Sequence, residues 1–223
     1  SQLNSKGQVI FQGKEALLNG IYLLVMPNRS YIEVVIPNGD QNFRIDLDTT
    51  LSVMNRTVHG SEENSIFIEF DQFAHQAGKE MQKLREQEEK VADDIEKKRI
   101  GDEKKIIDEK VKKKRLDVIS KYPESFVAKL FRAGLEIDIP KELQGDTTGK
   151  RFEYYREHYW DNVDLTEDGL IRTPIYHRKL KYFFTKLHVQ IADSILPVID
   201  ALANTLEANS SDELFKYTVW WTT

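Results

Sequence analysis

The sequence predicts an α+β protein: a small antiparallel β-rich part over residues 1–60, then a helical domain over 61–223 that begins with a long charged antiparallel hairpin at 61–122 and ends in a helical bundle. Three patterns carry this prediction. The first sixty residues hold short apolar runs punctuated by Pro, Asn and Gly, a strand-and-turn signature. From Ser61 the apolar residues recur at alternating steps of three and four, a heptad seam. Beyond Pro123, short amphipathic stretches are separated by Gly, Pro and Asp, as in a bundle of ordinary helices.

Within the β-rich part, strands are expected at 8–12, 20–26, 31–36 and 43–48, with an edge segment near 56–59. Pro27-Asn28-Arg29-Ser30 and Pro37-Asn38-Gly39-Asp40 separate neighbouring runs, and Asn-Gly is a strong hairpin signal. Such short connections favour antiparallel neighbours. In 43–48 Phe43, Ile45 and Leu47 alternate with Arg44, Asp46 and Asp48, so one face is buried and the other wet. Ile21 to Met26 is apolar throughout, which predicts a strand covered on both faces.

Ser61 is a suitable helix N-cap, with Glu62 and Glu63 in the first turn and Asn64 where a capping box would carry Glu. Phe67, Phe70, Ala74, Ala77, Met81, Leu84, Val91 and Ile95 form the seam of the first arm. A break is expected at Gly101-Asp102, with Asp102 capping a second arm that carries Ile107, Val111, Val118 and Tyr122. Polar Glu88, Lys98 and Lys114 near the seam imply a thinly packed tip. The same heptads would equally serve an exchange of hairpins in a homodimer. Further helices are expected at 124–133, 151–160, 174–187, 191–208 (whole, or broken near Pro197) and 212–221, with loops at 135–150 and 161–169.

Composition excludes several classes. With 40% hydrophobic and 31% charged residues the chain is neither disordered nor fibrous. The net charge is −5, and residues 79–121 hold 15 Lys/Arg against 12 Asp/Glu, so the remainder carries −8 and offers duplex nucleic acid little attraction. Cysteine is absent, which removes thiol redox chemistry and thiolate metal sites. No apolar run is long enough for a transmembrane segment. The chain opens without Met or a signal-like apolar region, so a targeting signal is expected to have stood upstream.

Five histidines occur, none paired at helical ligand spacing, and no HExxH, phosphate-binding glycine loop or nucleophile elbow is present. His177 and His158 are therefore read as packed or hydrogen-bonded residues, with catalysis beside the acid-rich 161–169 loop as the alternative. In that loop Asp161, Asp164, Glu167 and Asp168 are dense enough to suggest calcium, yet lack the EF-hand order, and capping explains them with less. No cofactor or metal is assigned. Tyr154, Tyr155, Tyr159 and Trp160 either seal the helical core or line a glycan or peptide groove. Arg178 belongs to a basic patch with Arg172 and Lys179, either a solvated helix face or a contact for a carboxylate. Trp220 and Trp221, at a terminus that looks cut in mid-structure, suit an interdomain contact.

Several stretches also carry a resemblance: Gly20-Ile-Tyr-Leu-Leu-Val-Met-Pro, Lys121-Tyr-Pro-Glu-Ser-Phe-Val-Ala-Lys-Leu, Tyr155-Arg-Glu-His-Tyr-Trp-Asp-Asn-Val-Asp-Leu, Leu170-Ile-Arg-Thr-Pro-Ile-Tyr-His-Arg-Lys-Leu and Phe215-Lys-Tyr-Thr-Val-Trp-Trp. Over roughly Gly20 to Trp221 the chain resembles the N-terminal accessory region, a domain of unknown function, of Bacteroidetes thioredoxin-like (TlpA/AhpC-like) thiol–disulfide oxidoreductases. The resemblance implies a periplasmic or otherwise extracytoplasmic protein, either secreted or lipid-anchored in its precursor, with redox chemistry in a covalently linked downstream domain. It further implies a β part short of a full sandwich. The expected function is thus a non-catalytic accessory or interaction module. The alternatives are a glycan- or peptide-binding module using the aromatics of 154–160, and a hydrolase using His177 or His158 with nearby acids.

Overall fold

A computed structural model describes residues 4–209 and 211–223. Its elements run β1 (Gly20–Val25), β2 (Tyr31–Ile36), β3 (Arg44–Asp46), β4 (Thr57–His59), α1 (Glu62–Glu88), α2 (Asp94–Lys121), α3 (Phe126–Ala133), α4 (Lys150–Glu157), α5 (Pro174–Lys186), α6 (Ala192–Ala208) and α7 (Asp212–Thr222). Two small antiparallel sheets are followed by a long helical hairpin and a bundle of five helices, the predicted α+β architecture.

β1 and β2 form a hairpin through the Pro27–Ser30 turn, with Gly20 opposite Ile36 and Val25 opposite Tyr31. Arg29 takes a left-handed φ of 68° there, and the Met26 amide donates to the Ser30 carbonyl at 2.8 Å. The Asn38-Gly39 turn does not make a hairpin. It carries the chain from β2 to a second sheet, in which β3 pairs with β4 rather than with β2.

Two further strand expectations are corrected. Residues 8–12 form no strand and lie exposed. β1 is not covered on both faces: Leu23 and Val25 are exposed, and the doubly buried strand is β2. Val35 of β2 enters the main core, while Ile32, Val34 and Ile36 pack on the other face with Tyr22, Leu24, Phe43 and Ile45. An apolar run alone does not say which of two neighbouring strands receives the helical layer.

Ser61 caps α1 as expected, its hydroxyl accepting from the Asn64 amide. The hairpin turn falls earlier than Gly101, over residues 89–93, with Asp93 accepting from the Ile95 amide as the N-cap of α2. Ile95 is thereby exposed rather than in the seam, and Asp102 lies inside the helix instead of capping it. The reason is packing. Turning at 89–93 lets Ile100 and Ile107 close on Leu84, with Ala77, Met81 and Val91 beside them. Two of the polar residues near the seam are paired across the hairpin, Glu88 with Lys104 and Lys114 with Glu69, the latter at 2.5 Å.

Gly101 therefore occupies a helix interior, where an added Cβ would meet nothing within 4 Å. Gly101→Ala is expected to raise stability by about 1 kcal/mol through propensity alone, read as a higher urea midpoint at unchanged slope. A loss would show that the glycine serves some contact.

α2 ends before Pro123, and Ser125 caps α3, whose apolar face is buried. α4 is shorter than expected, leaving Trp160 in the turn after it. α6 continues through Pro197 without dividing. The main core draws on α1, α3, α5, α6, α7 and Val118 of α2, with Tyr176, Leu180, Leu206 and Leu214 fully buried. Among the described residues no helix is long and apolar enough to cross a membrane.

Candidate aromatic contact face

α5 positions most of the aromatic residues. Thr173 caps it and Pro174 opens it, and Tyr176, Leu180, Phe183, Phe184 and Leu187 form its buried line. At about 100° per residue His177 and Lys179 fall on opposite flanks of that line. Two separate aromatic faces result, one on each flank.

On the Lys179 flank Tyr159 is a buried hub. Its hydroxyl donates to the Lys179 carbonyl at 3.1 Å, and the Lys179 ammonium lies 4.5 Å from its ring centre. Burial pushes the Tyr159 hydroxyl far above the ordinary tyrosine range and pushes Lys179 down, the latter against the pull of Glu136. Tyr155 meets Tyr159 edge-on at 5.8 Å, and Tyr182 lies nearly parallel to it at 6.0 Å and 19°. Tyr182 stays 45% exposed, as does much of Phe152, above which Arg156 sits at 6.0 Å. Trp160 packs inward on Tyr159, Tyr176 and Phe183, so the 154–160 aromatics are split between core and surface. Its indole nitrogen is buried without a partner among the described residues.

On the other flank the Nδ1 of exposed His177 is 2.7 Å from the Tyr217 hydroxyl, and its ring is edge-on to Trp221. Trp221 stacks on Phe184 at 5.9 Å and 29°, half-buried against the core. Trp220, beside Tyr217, is 70% exposed. Arg178, exposed and one turn before Tyr182 on α5, donates to the Pro174 carbonyl at 3.2 Å.

The acids of the 161–169 loop go to different partners. Asp161 pairs with His158 at 2.6 Å, and the His158 ring lies tilted against Tyr154 at 4.1 Å. Asp164 takes Lys129 at 2.9 Å, and Asp168 accepts from the Leu214 amide at 3.1 Å. Among the described residues no three His, Asp or Glu side chains converge to hold a metal ion. His158 and Asp161 have the contact of a base and its orienting acid, but both are on the surface, and His177 faces a tyrosine rather than an acid.

The loop is instead a junction between elements. Glu167 accepts from Asn19 and from the Gly169 amide and pairs with Lys129 at 3.2 Å. Arg172 donates to the Asn19 carbonyl and to Glu213, both at 2.6 Å. Glu63 of α1 accepts from the Phe126 and Val127 amides at 2.7 and 3.1 Å, capping α3 from another helix. Burial raises the Glu63 carboxyl despite those two amides.

Shallow depressions lie elsewhere. One, of about 180 Å³, sits between β4 and α1 at Val58, Ile68 and Gln72, and another, of about 390 Å³, lies on the outer side of α2 around Ile106. Sequence reasoning missed Tyr182, although an aromatic opposite the buried line of an amphipathic helix is a readable signal.

Fold and face together define an α+β protein with a helical bundle that carries aromatic clusters on two flanks of one helix. No family model, no curated protein and no solved structure matches the chain.

Proposed function

We propose that this protein is a binding module that holds a glycan chain on the aromatic face of α4 and α5. The observation that carries the reading is Tyr182, a half-exposed ring braced from beneath by Tyr159 and flanked by Tyr155. A rigid, flat, amphipathic ring gives contact area at little entropic cost. The ammonium of Lys179 and the carboxylate of Glu136, which act on each other, supply donors and acceptors for hydroxyl groups at its border, and Glu136 acts on Tyr155 as well. A peptide suits the face less well, because peptide recognition uses a groove, side-chain pockets or a sheet edge.

The test is affinity electrophoresis through gels containing soluble polysaccharides. Migration of the wild-type protein should be retarded, and Tyr182→Ala should weaken binding at least about tenfold, as loss of a contact hot spot does. Trp220→Ala should bind normally. Retardation by none of a broad polysaccharide set would sink the reading, and binding of an extended peptide at Tyr182 would transfer it to that ligand.

A second reading is favoured by Trp220, whose 70% exposure beside Tyr217 suits a surface covered by a neighbouring domain. On this reading the protein is a non-catalytic accessory region of an extracytoplasmic thioredoxin-like protein, and the α7 flank docks the covalently linked redox domain. Sequencing the gene past Thr223 tests it: a Cys-x-x-Cys thioredoxin domain supports the reading, and its absence ends it.

A further inference from the structure

The β1–β2 hairpin has two edges, and they are treated differently. Outside β2, the fully buried Asn64 side chain stands in for a third strand: its Oδ1 accepts from the Val35 amide at 2.9 Å, and its Nδ2 donates to the Val35 carbonyl at 2.7 Å. Val35 therefore turns its main-chain groups away from β1, and its opposite number Ile21 does the same, as do Leu23 and Val25 at the following alternate positions. The Met26–Ser30 bond at the turn agrees with this phase. Beyond β1, no group among the described residues bonds to the outward amides and carbonyls of Leu23 and Val25. Their side chains are 53% and 65% exposed. The Gly20 end is closed off by Arg172, so the open stretch of edge is Leu23 to Val25.

The same chain carries an unpaired strand-forming segment. Gln8-Val9-Ile10-Phe11-Gln12 has strand composition and makes no ladder, and Val9, Ile10 and Phe11 are exposed. Leu17 is clamped by the Gln41 amide through both its main-chain groups, which holds the following chain at the end of the sheet rather than along its free edge. We propose that residues 8–12 of a second copy add as a strand to the free edge of β1, and that the exchange is reciprocal. A foreign strand would cover the edge and leave residues 8–12 bare, whereas a two-fold exchange covers both at once and closes on itself.

The experiment uses the full chain, whose freedom from cysteine makes single thiols unambiguous. Sedimentation velocity should show a concentration-dependent dimer. Leu23→Pro removes only an outward amide and leaves the β1–β2 ladder whole, so it should weaken the dimer at least about tenfold at unchanged helical content. Ile10→Cys mixed with Leu23→Cys should yield a disulfide-linked heterodimer in excess of either homodimer. A monomer at every concentration, a dimer indifferent to Leu23→Pro, or a disulfide formed only within a chain carrying both cysteines would each overturn the proposal.

Discussion

Asn64→Ala is expected to lower the unfolding free energy by about 2–4 kcal/mol, measured by urea denaturation at neutral pH. The Asn64 side chain is fully buried and satisfies both main-chain groups of Val35, which is itself fully buried at the joint between sheet and helices. Alanine leaves one donor and one acceptor without partners, and each such group costs about 1–3 kcal/mol. Asn64→Asp discriminates this account from simple loss of packing. An aspartate keeps the acceptor for the Val35 amide but sets a carboxylate oxygen against the Val35 carbonyl. It should be at least as damaging at neutral pH and recover partly in acid, when the protonated group can donate again. A cost for Asn64→Ala below about 0.5 kcal/mol, within the range of an ordinary surface change, would mean that water replaces the amide.

Lys129→Met is expected to cost about 2–3 kcal/mol at neutral pH, less than the roughly 3–5 kcal/mol for breaking a fully buried pair because the ammonium keeps some access to water. Lys129 of α3 stands between Asp164 and Glu167 at 2.9 and 3.2 Å, and Glu63 of α1 adds a further carboxylate near Glu167. Without the ammonium these acids face one another with neutral donors alone, Asn19 and the Gly169 amide on Glu167 and Thr166 on Asp164. Burial works to raise the Asp164 carboxyl, but hydrogen bonds from Thr166 and Lys129 outweigh it and hold the group below the usual range. A depressed acid contributes stability above its unfolded pKa and loses it as pH falls through the folded value. Glu63 is shifted the other way, so its cost is present at neutral pH and relieved on acidification. The gap between wild type and Lys129→Met should accordingly narrow from neutral pH toward about pH 3, below the ordinary aspartate value. A gap that stays constant over that range would assign the effect to packing of the lysine stem.

Local chemistry made much of the fold legible. Ser61 and Thr173 were readable as helix caps because a cap needs only its own side chain and the next turn, whereas Ser125, the cap of α3, falls inside the stretch expected to be helical. The heptad seam foretold the hairpin, and Pro123 and Gly134 marked the ends of α2 and α3. The hairpin turn was misplaced because Gly101 is the stronger local breaker. Its cost of about 1 kcal/mol is small beside the burial of Ile100 and Ile107 against the other arm. The aromatic face was half legible. Tyr155 was named, but so was buried Tyr159, and Tyr182 was passed over although the periodicity of α5 already set it opposite the buried line.

The sequence by itself determined the order of the helices, the caps of α1 and α5, the lack of cysteine and the clustering of aromatic residues at 154–160 and 217–221. The tertiary structure alone decided which strand of the first hairpin would be buried, which acids of the 161–169 loop would meet Lys129, Leu214 or His158, and which aromatics would remain at the surface. The physical reason is range. Caps and periodicities act across one turn of chain, whereas Asn64 on Val35, Glu63 on α3 and Tyr182 on Tyr159 join residues whose meeting depends on every element packed between them.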